Sequence, residues 1–345
     1  MSHLSTIDLK KELVRVTSAY FEEPIDYLKL SNASTDYKSL LHEISGQNMD
    51  IEKGRNDIKN ENGNALGTFW AALCLEDALR TRQFIKGIDR AIKDTKKKAP
   101  IHIMYAGTGP FATLILPLIL RYPKEDITYT LLEINPFTYS VLQNIISKLD
   151  LEEYDITLVK DNATTYQIAP ENTPDIIISE TMQSGLMKEQ QVPIFINLMS
   201  QVPYDTVFIP EKIELHLGLK KTDSLDGRFL KEHYTDVEKL FEVSKESMFA
   251  SNPSKKQLIK KGSFAKKKTV IKEETLKGYS HLLINTYIQV YKDLKIDINE
   301  SGLTVPIFIR EIPNNNQSTV TVDTQYVISS EPKLEYTITL DTVVS

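Results

Sequence analysis

Residues 101–114 read IHIMYAGTGPFATL. Ile101 to Tyr105 is a short apolar run of buried-strand length. Gly107, Thr108, Gly109 and Pro110 then form a turn, and Phe111 to Arg121 reads as a helix. Outward from this unit the alternation continues. Ile127 to Leu132 is a second strand, and Pro136 to Lys148 a helix with proline in its first turn. Ile156 to Val159 is a third strand and Asp175 to Ser179 a fourth. Apolar strands alternating with helices predict a parallel sheet covered on both faces, an α/β Rossmann-like domain.

Upstream, Ala65 to Lys93 has helical spacing, with Phe69, Ala72, Leu73, Leu79, Phe84 and Ile88 on one side. Residues 1–64 mix helical periodicity with polar breaks and form an N-terminal helical segment or lid. Near Pro203 the pattern changes. Lys212 to Leu219, Leu282 to Tyr291, Leu303 to Arg310, Ser318 to Val327 and Leu334 to Val343 alternate apolar with polar. That alternation belongs to antiparallel strands with one wet face. Two helical pieces are expected near Arg228 to Phe241. The seven lysines from Lys255 to Lys268 read as a solvated hairpin or loop. The division is 1–64, a Rossmann-like domain over 65–205, and a β-rich, barrel-like domain over 206–345.

The chain has 345 residues and a formal net charge of -6, which argues against bulk nucleic-acid binding. Cys74 is the only cysteine, so no internal disulfide can form, and with six scattered histidines no metal site is expected. The N-terminus lacks a signal-peptide apolar core, and the longest apolar stretch, Phe111 to Leu120, is too short to span a bilayer. A cytoplasmic protein with no membrane partner is the default.

Gly107 and Gly109, with Thr108 between them, would let the backbone approach a ligand closely, since glycine has no Cβ. Glu133 ends the next strand, where a carboxylate can accept both hydroxyls of a ribose. The third glycine of a dinucleotide fingerprint is missing, and no phosphate-loop lysine follows. A nucleoside cofactor without phosphates fits best, and S-adenosylmethionine is the commonest such ligand on this fold. Ala163 and Thr164, after the third strand, are placed to meet its adenine edge.

The fourth strand leads into SETMQSGLMKE, residues 179–189. Glu180 stands at the strand's carboxyl end, and Gly185 permits a reversal that aims Glu189 at the same point. SExMxxxxxxE after an apolar strand resembles the double-glutamate loop of the protein arginine methyltransferases. Leu75 to Thr81 resembles that family's LxDxxRT helix, and Pro210 to Leu215 its PxxxxL strand at the start of the C-terminal barrel. The resemblance covers roughly Ala65 to Leu219. It implies that Glu180 and Glu189 hold a substrate guanidinium and that Arg80 meets the methionine carboxylate of the cofactor. It would also make Thr222 to Phe241 a dimer arm and the protein a homodimer. The chemistry agrees: a guanidinium and a sulfonium are both cations and need compensating anions in a dry pocket.

The chain departs from the family's pattern on the substrate side. Tyr105 and Thr164 replace acids, no YFxxY precedes Arg80, and the late Thr-His-Trp loop is absent. His281, the last histidine, reads as a structural residue at a strand end. The acceptor is therefore expected to be a guanidine, either free L-arginine or an arginine-containing peptide. An O- or C-methyltransferase on a small amino acid or metabolite, and a non-catalytic cofactor-binding scaffold, are the alternatives.

Overall fold

The computed structural model describes residues 5–95, 100–222, 231–248, 264–313 and 318–342. In chain order the first half contains α1 (Thr6–Val16), α2 (Tyr27–Ser45), α3 (Glu52–Arg55), β1 (Ile58–Asn60), β2 (Gly63–Ala65), α4 (Thr68–Leu73), α5 (Ala78–Asp94), β3 (Ile101–Ala106), α6 (Leu116–Ile119), β4 (Ile127–Leu132), α7 (Pro136–Lys148), β5 (Ile156–Val159), β6 (Ile176–Ile178), α8 (Gln191–Met199) and β7 (Val207–Ile209). The second half contains β8 (Lys212–Lys221), β9 (Tyr234–Ser244), β10 (Lys267–Ile271), β11 (Tyr279–Tyr291), β12 (Leu294–Ile296), β13 (Ile307–Glu311), β14 (Ser318–Val327) and β15 (Lys333–Thr342).

Five strands form one parallel sheet in the order β5-β4-β3-β6-β7. The order reverses between β3 and β6, so a crevice opens at their carboxyl ends. Ile103, Ile176, Ile177 and Ile178 are fully buried, as expected for strands covered on both faces. The fifth strand, β7, carries Phe208 and Ile209 into this sheet. The parallel layer thus ends a few residues beyond the change of character seen near Pro203.

The remaining strands are antiparallel. β12-β11-β8-β9, with β13 also on β11, make one sheet, and β10-β14-β15 a second. One hydrophobic core runs from Leu13 to Leu334 through both halves. α1 and α2 belong to it: Leu13 and Tyr37 are fully buried, and Tyr37 Oη donates to the carbonyl of Thr113 at 3.2 Å. Among the described residues, no helix is long and apolar enough to cross a membrane.

Three local expectations change. The helix read over Ala65 to Lys93 is broken, with α4 ending at Leu73 and α5 starting after Asp77. Asp77 stops helical backbone (φ −75°, ψ 82°) and caps α5 by accepting from the Arg80 N–H. Phe111 to Arg121 is helical only at Leu116–Ile119, because Ala112 adopts a left-handed φ of 44°. Of the helical pieces expected near Arg228 to Phe241, a short helical turn stands at Lys231–His233, and from Tyr234 onward the chain is instead the strand β9, paired with β8. Residues 223–230 of the expected dimer arm, and Lys255 to Lys261 of the lysine run, lie outside the described residues, while Lys267 and Lys268 sit in β10.

Candidate active site

A cavity of about 510 Å³ opens at the carboxyl ends of β3, β4 and β6, within the range of roughly 300–1,000 Å³ usual for small-ligand sites. Gly107, Thr108 and Gly109 line it, as do Glu133, Ala163, Arg80, Glu180 and Glu189. Thr164 does not; its hydroxyl and amide both donate to Asn162 Oδ1. His281 lies apart, in β11 against Phe308.

On the nucleoside side, Gly107 has φ +76°, and a Cβ there would stand 2.3 Å from the Thr181 methyl group. Only glycine fits a left-handed turn under that contact. Gly109 is also left-handed at φ +65°, and its N–H donates to Glu133 at 3.0 Å. The other Glu133 oxygen accepts from the Asn135 N–H at 2.8 Å. Burial pushes the Glu133 carboxyl up to about 7 against those hydrogen bonds. A carboxylate has about four lone-pair positions, so capacity remains toward the cavity.

On the other side, Arg80 and Glu180 form a buried ion pair at 3.0 Å, with side chains 6% and 7% exposed. Arg80 Nη2 donates to the Cys74 carbonyl at 2.8 Å, and its Nε is buried without a partner among the described residues. Burial raises the Glu180 carboxyl, and Arg80 opposes that rise. Glu189 is pushed up to about 8, first by burial and then by the Glu180 charge. The two converging carboxyl groups make this end an acidic slot.

The loop between them is held by partners remote in sequence. Its ends close on each other, with Thr181 N–H to Gln191 Oε1 at 2.9 Å and Gln191 N–H to the Thr181 carbonyl at 3.0 Å. Between these ends Gly185, Leu186 and Lys188 all have positive φ. Thr286 Oγ1 accepts from the Gly185 N–H, Tyr326 Oη donates to the Leu186 carbonyl, and the Asn64 N–H donates to the Lys188 carbonyl. The β1–β2 hairpin is thereby docked on the backbone of Lys188 and Glu189, where Asn64 pairs with Glu189.

Sequence reasoning leaves several lining residues unassigned. Asp77, Asp161 and Gln190 line the cavity, and Gln190 Nε2 is buried without a partner among the described residues. Tyr105, read as a departure from the family's acid, also lines it. Asp77 lies within the recognised LEDALRT segment, so its position there is a usable signal. Gln190 gives none, because a glutamine beside a glutamate reads as surface.

No protein-family model and no curated protein matches the chain in sequence. Solved structures do match it. The Trypanosoma brucei PRMT1 enzyme-prozyme heterotetrameric complex with AdoHcy is similar at 12% identity over 79% of this chain and 93% of that one, with a TM-score of 0.49. The crystal structure of PRMT6 is similar at 12% identity over 77% of this chain and 97% of that one, with a TM-score of 0.52. At this identity the second likeness shows a shared fold: a parallel sheet with helices, followed by an antiparallel β region.

Proposed function

We propose that this protein is an S-adenosylmethionine-dependent N-methyltransferase acting on a guanidine. The observation that carries the reading is the convergence of Glu180 and Glu189 on one cavity that also contains the Gly107–Gly109 turn and Glu133. The fold shared with PRMT6 supports it.

The lining residues fit the cofactor. The glycine turn gives close backbone approach, Glu133 faces the cavity to accept the ribose hydroxyls, and Ala163 borders the adenine end. Arg80 has five donors, of which the pair with Glu180 and the Cys74 carbonyl use only part. The rest can hold the methionine carboxylate. When bound, this cofactor supplies an electrophilic methyl group on a sulfonium.

The chain's own residues do the remaining work. Five acids line the cavity (Asp77, Glu133, Asp161, Glu180 and Glu189), and Arg80 is the single Lys or Arg among the lining residues. A cation entering there stabilises the charged forms of these acids. A guanidinium stays charged up to pH values above 12 and presents a planar fork of donors. Between Glu180 and Glu189 it would be held by charge-assisted hydrogen bonds. Its arrival favours loss of the Glu189 proton, since a nearby cation stabilises the carboxylate. Glu180, fixed by Arg80, orients the reacting nitrogen, and that orientation can lower the barrier by roughly 7–11 kcal/mol.

The test uses labelled S-adenosylmethionine with L-arginine, other amino acids and arginine-rich peptides, read by mass spectrometry. Glu180→Gln is expected to lose about 100-fold or more in turnover while still binding cofactor. Wild-type turnover in that variant would remove the guanidine reading.

A further inference from the structure

Tyr105 is the next-to-last residue of β3, in register with Leu131 of β4 and Ile178 of β6. It stands where the sheet order reverses, at the floor of the crevice. The residue is 4% exposed and lines the cavity. Three other buried tyrosines use their hydroxyls within the protein: Tyr20 on Ser34, Tyr37 on the Thr113 carbonyl and Tyr326 on the Leu186 carbonyl. The Tyr105 hydroxyl has no hydrogen-bond partner among the described residues. A deeply buried polar group without a partner calls for an explanation.

The groups that act electrically on this phenol all line the cavity. Burial is the first cause of its raised pKa and the Glu180 charge the second; Arg80 opposes the rise, while Cys74 and Glu133 add to it. The phenol therefore keeps its proton at neutral pH and is a donor without an acceptor. The two nearby carboxyl groups are otherwise engaged, Glu180 by Arg80 and Glu133 by the N–H groups of Gly109 and Asn135.

We propose that Tyr105 shares the methionine carboxylate of the cofactor with Arg80, donating its hydroxyl proton beside the guanidinium. Arg80 brings the positive charge that draws an anion, and Tyr105 brings one neutral donor. A carboxylate satisfies both at once. An ammonium group would meet the Arg80 cation and leave the phenol proton unbonded. This rests on the proposed function, which puts S-adenosylmethionine in the cavity and Arg80 at its carboxylate. It gives a role to the residue that stands where the family resemblance expects an acid. It also makes the carboxylate, not the ammonium group, the part of the amino-acid end that this position reads.

The experiment is calorimetry with S-adenosylhomocysteine, its analogue lacking the carboxylate and its analogue lacking the ammonium group. Tyr105→Phe, which keeps the ring, is expected to bind S-adenosylhomocysteine and the ammonium-free analogue about tenfold more weakly, with the carboxylate-free analogue changed less than about twofold. Wild-type protein should itself bind the ammonium-free analogue more tightly than the carboxylate-free one, and that comparison decides the matter if the variant does not fold. Unchanged affinity of Tyr105→Phe for S-adenosylhomocysteine would overturn the proposal. So would an equal loss for all three ligands, which marks a general loss of fit, or a loss that spares the ammonium-free analogue. Glu180→Gln, measured alongside, separates the two claims. If that variant keeps wild-type turnover while Tyr105→Phe shows the expected pattern, the guanidine reading falls and the carboxylate contact stands. If the wild type binds none of the three ligands, both fall.

Discussion

Burial is the first cause of Glu189's raised proton affinity, and the Glu180 charge is the second. The consequence for stability has a definite sign. An unfolded chain releases this proton near the ordinary value of 4.5, whereas the folded, ligand-free chain keeps it up to about 8. Between those values the native state binds more protons, so its stability falls as pH rises. Glutamine at 189 cannot titrate. Glu189→Gln should therefore flatten the decline in thermal midpoint between about pH 5 and about pH 8.5. A residual slope should remain from Glu133, which burial raises to about 7. An identical pH dependence in variant and wild type would show that Glu189 is ionised in the free protein.

At the scale of elements, the double-glutamate loop does not hold its own shape. Two left-handed residues other than glycine, Leu186 and Lys188, would be costly in an isolated segment, and the loop keeps them because Thr286, Tyr326 and the β1–β2 hairpin each satisfy one of its backbone groups. The hairpin contact leaves no room for a side chain. Gly63 has φ +113°, and a Cβ there would lie 3.0 Å from the Glu189 carbonyl carbon and oxygen. Gly63→Ala should lift the hairpin and displace Glu189. A misplacement of about 1 Å near reacting groups costs on the order of 100-fold in rate, so kcat/KM for the acceptor should fall by about that factor. On the proposed reading the cofactor rests on the β3 turn, Glu133 and Arg80, so its affinity should change far less. Equal losses in acceptor turnover and cofactor affinity would show that the hairpin braces the whole cavity instead.

For the molecule as a whole, the N-terminal helices behave as part of one core. Tyr20 Oη and Ser34 Oγ are 2.9 Å apart within the buried layer. Tyr37 reaches from α2 to the backbone of Thr113, itself a lining residue. A detachable lid would tolerate truncation of Tyr37. Packed as it is, Tyr37→Ala should cost about 3–5 kcal/mol, as for other large buried aromatic side chains. Urea unfolding of the variant measures this, and a loss near zero would mean that α1 and α2 dock independently of the sheet.

The sequence by itself determines what local physics controls. Apolar runs of strand length, glycines in a strand–helix turn and proline at the first turn of a helix act within a few residues, so their spacing reveals the parallel sheet and the positions of Gly107, Glu133 and Glu180. Alternation likewise reveals the antiparallel strands from Lys212 onward. Local spacing misleads at Asp77, which interrupts a helical pattern because capping Arg80 outweighs continuation, and at Tyr234–Ser244, where β8 supplies strand pairing that no local pattern announces. Only the tertiary structure decides the rest: that Arg80 meets Glu180, that Asn64 meets Glu189, and that Asp77 meets Ser301, which lies 224 positions away. Such pairs depend on where the topology brings distant segments together, and neither residue of a pair carries a mark of its partner.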